Sequence, residues 1–130
     1  MSERVSRTPS TSRYAPVIGF CAAVRAGDHV YVSGVTAVAP DGSVVGESDP
    51  GAQTAECLRK IEQTLARIGA ALPQIVSTRM YLVDAAHWQA VGEAHGAAFR
   101  ETPPAATMVV VKALLDERML VEIEAVAYLG

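Results

Sequence analysis

Four side chains in this sequence are of types that could do acid/base or anion-binding chemistry in a protein interior: Glu122, Glu124, Arg79 and His95. Glu122 and Glu124 stand two apart in the run Leu120-Val121-Glu122-Ile123-Glu124-Ala125. Strand side chains alternate between faces, so the two carboxylates share one face while Val121, Ile123 and Ala125 share the other. Like-charge proximity combined with burial raises a carboxyl pKa, which suits a general acid/base. A salt-bridged strand face is the alternative reading. Arg79 lies mid-strand in Ser77-Thr78-Arg79-Met80-Tyr81, on the same face as Tyr81. A guanidinium there either contacts an anionic ligand or pairs with Glu122 or Glu124, because a charge inside an interface needs a partner. His95 falls on a helical apolar stripe with Trp88 and Val91. It reads either as a hydrogen-bonded core residue or as a second acid/base group reaching a cleft. His29 and His87 take turn and helix-start positions facing solvent, and three scattered histidines have no metal-ligand spacing. Cys21 has no base near it in sequence and reads as a packed small hydrophobe.

The elements that must position these groups are legible from periodicity. Residues 1–16 form a Ser/Thr/Arg/Pro-rich segment, expected as a flexible arm, and residues 17–130 form one domain. A strand pair is expected over roughly 20–24 and 29–35, joined by the turn Arg25-Ala26-Gly27-Asp28. Asp41-Gly42 marks a turn before a short strand at 43–45. Asp49 and Pro50 start a helix as N-cap and first helical residue. Leu58, Ile61, Leu65 and Ile68 make its apolar stripe, with Glu56 and Lys60 as an i,i+4 pair on the exposed side. A strand over 75–83 follows. Asp84 then caps a second helix whose inward stripe is Trp88, Val91, His95 and Ala98 or Phe99, and Pro103-Pro104 stops it. Two closing strands flank the turn Asp116-Glu117-Arg118. Ala106, Met108 and Val110 share one face of the first, and the open sheet face is expected to carry Met108, Val110 and Val126 beside Glu122 and Glu124. The order β-β-β-α-β-α-β-β implies an α+β domain with both helices on one face of a mixed sheet. The apolar opposite face, with carboxylates embedded in it, calls for self-association.

Composition narrows the function. With 130 residues, half of them hydrophobic, the chain can bury a single core. A net charge of -3 argues against a general nucleic-acid binder. No stretch approaches the ~18 apolar residues of a membrane span, and the N-terminus lacks signal-peptide order. Cys21 and Cys57 make no C-x-x-C pair and are expected as reduced thiols, so a cytoplasmic location is expected.

The closing strands Pro104-Ala105-Ala106-Thr107 and Val121-Glu122-Ile123-Glu124-Ala125 resemble the end of the RidA (YjgF/YER057c/UK114) family. The Val32-Ser33-Gly34 segment, the helix from Pro50 and the run Tyr81-Leu82-Val83-Asp84 fall in the family's order. The resemblance implies a chorismate-mutase-like fold, a homotrimer and small-molecule clefts between subunits, with no cofactor and no metal. Active members hydrolyse 2-aminoacrylate-type enamines and imines to keto acids and ammonia. The resemblance implies Glu122 as the acidic catalytic residue, with Ser33 and the backbone of Gly34 as a polar wall of the substrate site. Two positions depart from the family. Ala106 stands where an arginine holds the substrate carboxylate, and Phe20 stands where active members often carry tyrosine. Arg79 is then the candidate replacement cation, with His95 as a second catalytic candidate and Met108 and Glu124 completing the substrate-facing set. Loss of a charge-assisted contact lowers activity by orders of magnitude, so the usual deaminase activity is not expected unchanged. A non-catalytic carboxylate-binding trimer, acting as sensor or scavenger, is the alternative. RNA cleavage or translation inhibition, also attached to the family, fits an acidic chain less well.

Overall fold

The structure, a computed structural model, describes residues 4–130. Six strands form one sheet: β1 (Val5–Thr8), β2 (Ala23–Ala26), β3 (His29–Val35), β4 (Ile75–Leu82), β5 (Ala105–Val110) and β6 (Val121–Tyr128). The helices are a single turn α1 (Ala15–Ile18), α2 (Pro50–Ala66) and α3 (Trp88–Phe99). The sheet order is β1-β2-β3-β6-β4-β5, with β4 and β5 parallel and every other pair antiparallel. Because β6 runs antiparallel to both β3 and β4, those two are parallel to each other. The chain therefore makes two successive crossovers, β3-α2-β4 and β4-α3-β5, and α2 and α3 pack on the same face.

The last strand fills the slot left between β3 and β4. The two closing strands are accordingly not neighbours, as their closeness in sequence suggests: β4 lies between them. Residues 111–120 carry the chain past the end of β4, and this long-range insertion has no local signal.

Local chemistry explains the helices. The Asp49 carboxylate accepts a hydrogen bond from the Ala52 N–H at 3.0 Å, and Pro50 occupies the first helical position. Cys57, Leu58, Ile61 and Leu65 are buried against the sheet. Gly69, in the left-handed region at φ +83°, turns the chain out of the helix. Asp84 caps a short 3-10 turn, Ala85–His87, that leads into α3. On α3 the buried positions are Val91, His95 and Phe99. Trp88, expected on the inward stripe, is 62% exposed at the first position of α3, directly after the 3-10 turn. His87, expected to face solvent, is half-buried with its Nδ1 unpaired.

The alternation of β6 is as its sequence requires. Val121, Ile123, Ala125 and Ala127 are buried under the helices, with Val30, Val32, Met80 and Leu82 beside them. The opposite face carries rows set by the pairing register: Val24, Tyr31 and Val126; then Glu124, Arg79 and Thr107; then Glu122, Tyr81 and Val109. Three expectations are corrected here. Val5–Thr8, within the segment read as an arm, is a strand paired with β2. Met108 and Ala106 pair in register with Met80 and Thr78, so they belong to the helix-facing side and not with the carboxylates. Met108 packs against the core. The expected strand at 43–45 is reduced to one bridge between Val38 and Val44.

Candidate active site

The β3·β6 ladder is irregular between Val32 and Val35, where β3 changes register against β6. Such a bulge re-aims side chains next to a site. Here it brings Gly34 against the Glu122 side chain. A Cβ built on Gly34 would lie 3.1 Å from Glu122 Cδ and 3.2 Å from its Cγ, and would overlap the carboxylate Oε2. Only a residue with no side chain leaves room for the carboxylate in this position.

Glu122 looks into a cavity of about 760 Å³. The walls come from the 9–14 segment and α1, from β3 and the loop after it, from α2, and from the loop before β6. Phe20, Val35, Val38 and Met119 supply apolar surface, while Ser33, Thr36 and Thr64 supply hydroxyls. Glu122 is the only acid among the described lining residues, and Lys60, Arg13 and Arg67 are the cations. Burial pushes the Glu122 carboxyl up from its ordinary value, and the nearby charge of Glu124 pushes it the same way. It therefore holds a proton to higher pH than an ordinary glutamate does.

The wall is held by polar contacts. Ser33 donates its hydroxyl to the Cys21 carbonyl at 2.7 Å. Gln53, fully buried on α2, donates to the carbonyls of Gly46 and Arg118 and accepts from the Leu120 N–H, at 3.2, 3.0 and 2.9 Å. That one amide ties α2 to both loops bordering the cavity. The turn before β6 is closed by Asp116, which accepts from the Arg118 N–H and pairs with its guanidinium at 2.8 Å. Those contacts lower the Asp116 pKa to about 2.

The nine candidate residues divide between two faces of the sheet. Phe20, Ser33, Gly34 and Glu122 line the cavity together. Glu124 shares the open face with Glu122 but lies outside the cavity lining, where its carboxylate accepts a 2.5 Å hydrogen bond from the Tyr81 hydroxyl. Arg79 reaches Glu124 at 3.9 Å and is not among the lining residues of this chain's own cavity. His95 is on the far side of the sheet. Its Nε2 hydrogen-bonds the Thr78 hydroxyl at 2.9 Å, its ring packs on Phe99, and burial lowers its pKa. It is a core residue held by one polar partner and is not among the residues lining the cavity. Ala106 and Met108 lie on the outer strand β5, with β4 between them and β6.

Sequence reasoning missed Lys60. Its expected partner Glu56 is taken by Arg59 in a two-pronged pair at 2.7 and 2.5 Å. Lys60 instead folds inward and donates to the carbonyls of Thr36 and Val38 at 2.6 and 2.9 Å. Its place two to three residues from the buried Cys57 and Leu58, toward the edge of the α2 stripe, was the one available signal. Cys57 itself is buried, donates to the Val35 carbonyl at 3.3 Å and has its thiol pKa pushed up to about 12. It is unreactive packing in the wall behind the cavity. Among the described residues no cluster of three or more His, Cys, Asp or Glu side chains could hold a metal ion, and no helix is long and apolar enough to cross a membrane.

The α+β sheet, with a glutamate lining a cavity beside a strand irregularity, is placed by comparison with known proteins. Residues 10–129 match the family model described as endoribonuclease L-PSP. The chain belongs to this family, the RidA or YjgF/YER057c/UK114 family. An uncharacterized protein of Streptomyces coelicolor is 37% identical over 129 residues, covering 99% of this chain and 96% of that protein. The 3-aminoacrylate deaminase RutC of Acinetobacter baylyi is 31% identical over 113 residues, covering 87% and 89%. The crystal structure of Rv2704 from Mycobacterium tuberculosis, a member of the YjgF/YER057c/UK114 family, superposes with a TM-score of 0.84 at 41% identity. It covers 95% of this chain and 98% of that one.

Proposed function

We propose that the protein hydrolyses a small enamine or imine carboxylate in this cavity, releasing ammonia and a keto acid, with Glu122 as the acid/base. The observation that carries the reading is the Glu122 carboxyl, desolvated, unpaired among the described residues and seated against Gly34 at the cavity wall. In the reaction an enamine takes a proton at carbon to become an imine. Water adds to the imine carbon, a proton passes from the added water to nitrogen, and the C–N bond breaks to release ammonia and leave a carbonyl. Protonated Glu122 supplies the first proton, and its carboxylate then receives one from the attacking water. The raised pKa brings the carboxyl closer to the working range of a general acid/base than an ordinary glutamate. The deaminase named among the relatives supports the reaction class.

The working unit in this reading is a homotrimer in the cytoplasm. Exposed Tyr31 and Val109 and the half-buried Val126 on the open sheet face support self-association. Ala106 lies two strands from β6, so a side chain there serves a neighbouring subunit's cavity more readily than its own. The alanine at this position favours a second reading, in which the cavity binds a carboxylate without turning it over.

The test is to generate 2-aminoacrylate or 2-iminobutyrate in situ and follow keto-acid release. Acceleration that disappears in Glu122→Gln supports the hydrolase. An intact oligomer giving no acceleration over buffer sinks it and leaves the binder. A rise in rate for Ala106→Arg would identify the missing anion contact as the only defect.

A further inference from the structure

We infer that Lys60 is the anion anchor of the cavity, a specificity-determining cation supplied by α2 of the same chain. The inference rests on the reading that the cavity takes a small carboxylate. As an ammonium, Lys60 has three N–H donors. Two are satisfied by the Thr36 and Val38 carbonyls, which lie just past the end of β3 where the strand has left the sheet. The third has no acceptor among the described residues, and no carboxylate there lies within ion-pair distance of Lys60. Two neutral carbonyls fix the position of the nitrogen without cancelling its charge. A half-buried cation in this state is completed by an anion.

The neighbours reinforce the point. Glu56, the acid one turn before Lys60 on the helix, is already engaged by Arg59. Glu122, the one acid lining the cavity among the described residues, makes no ion pair with Lys60. Both line the same cavity, Lys60 from α2 and Glu122 from β6, with the buried Cys57 packed behind the wall between α2 and β3. A carboxylate held by Lys60 would thus lie in the cavity that Glu122 faces. Serving this purpose from α2, Lys60 makes an arginine at position 106 unnecessary.

The sequence has two lysines, Lys60 and the exposed Lys112, which gives the test an internal control. Pyruvate and its neutral analogue pyruvamide are titrated into wild type, Lys60→Gln and Lys60→Arg. Wild type should prefer pyruvate on the order of 10- to 100-fold, as expected for one charge-assisted contact. Lys60→Gln should bind the two alike, and Lys60→Arg should retain part of the preference. A preference that survives in Lys60→Gln, or none in wild type, overturns the inference. Should Lys60→Gln fail to fold, the Nζ resonance in ¹⁵N-lysine-labelled wild type decides. It must move for Lys60 and not Lys112 on adding pyruvate, and stay still with pyruvamide; no movement at Lys60 overturns the anchor. The two readings fail separately. Lys60-dependent pyruvate binding without keto-acid release removes the hydrolase and keeps the anchor. Keto-acid release with the same KM in Lys60→Gln removes the anchor and keeps the hydrolase.

Discussion

Glu122 and Glu124 occupy the same strand and the same face, two residues apart, yet the fold treats them oppositely. Glu124 is furnished with partners: the Tyr81 hydroxyl at 2.5 Å and the Arg79 guanidinium at 3.9 Å. Glu122 has none among the described residues, sits against Gly34 in the irregular stretch of β3, and has its pKa raised by burial and by the nearby Glu124 charge. A satisfied carboxylate is part of the sheet surface. An unsatisfied, desolvated one next to a cavity is a group reserved for something that is not yet bound.

The comparison breaks most sharply at Glu122 itself. Glu122→Gln should lower the keto-acid release rate by about 100-fold or more without loss of thermal stability, since it removes a carboxyl whose ionisation the cavity opposes. Glu124→Gln should leave release within a few-fold of wild type. Equal losses from the two variants would erase the distinction. Next in size, Gly34→Ala should destabilise the fold by about 1–3 kcal/mol, because the new methyl group must displace the Glu122 carboxylate or the bulge. Urea unfolding measures this, and a parallel drop in release rate would tie the close fit to function.

A smaller effect sharpens the same contrast through pH. The folded Glu122 pKa lies above its unfolded value, so the folded state binds the extra proton. Stability should fall as pH rises from the ordinary carboxyl range through the raised value, then level off. In Glu122→Gln this slope should flatten in thermal melts; in Glu124→Gln it should persist. Tyr81→Phe, which strips Glu124 of its short hydrogen bond, should cost up to about 1 kcal/mol with release preserved. Arg79→Ala should cost least, under about 0.5 kcal/mol, as its pair is long and largely exposed. A large loss of release in Arg79→Ala would return that residue to the site.

Much of the site was readable in advance because its signals are local. The two-residue period of β6 assigns Glu122 and Glu124 to one face whatever the strand pairs with, and Gly34 and Ser33 were recognisable from their order in the family. Arg79 and His95 each carried two readings for a shared reason. Periodicity says which side of its own element a residue faces, and not which of several partners lies there. For Arg79 that partner is Glu124. For His95 it is Thr78, across the helix-sheet interface. Met108 was assigned to the carboxylate face because β5 and β6 are close in sequence, and the intervening β4 reverses that assignment.

The sequence by itself determined the order of the main elements from β2 onward, the alternation within the strands, the capped start of α2 and the pair of alternate carboxylates. These follow from periods of two and 3.6 residues and from capping chemistry, which act over a few residues. Tertiary structure alone decided that β6 lies between β3 and β4, that the β3 bulge seats Gly34 beneath Glu122, and that Lys60 turns inward once Arg59 has taken Glu56. Each of these depends on groups brought together from distant parts of the chain or on competition between neighbours for one partner, and no local pattern encodes the outcome.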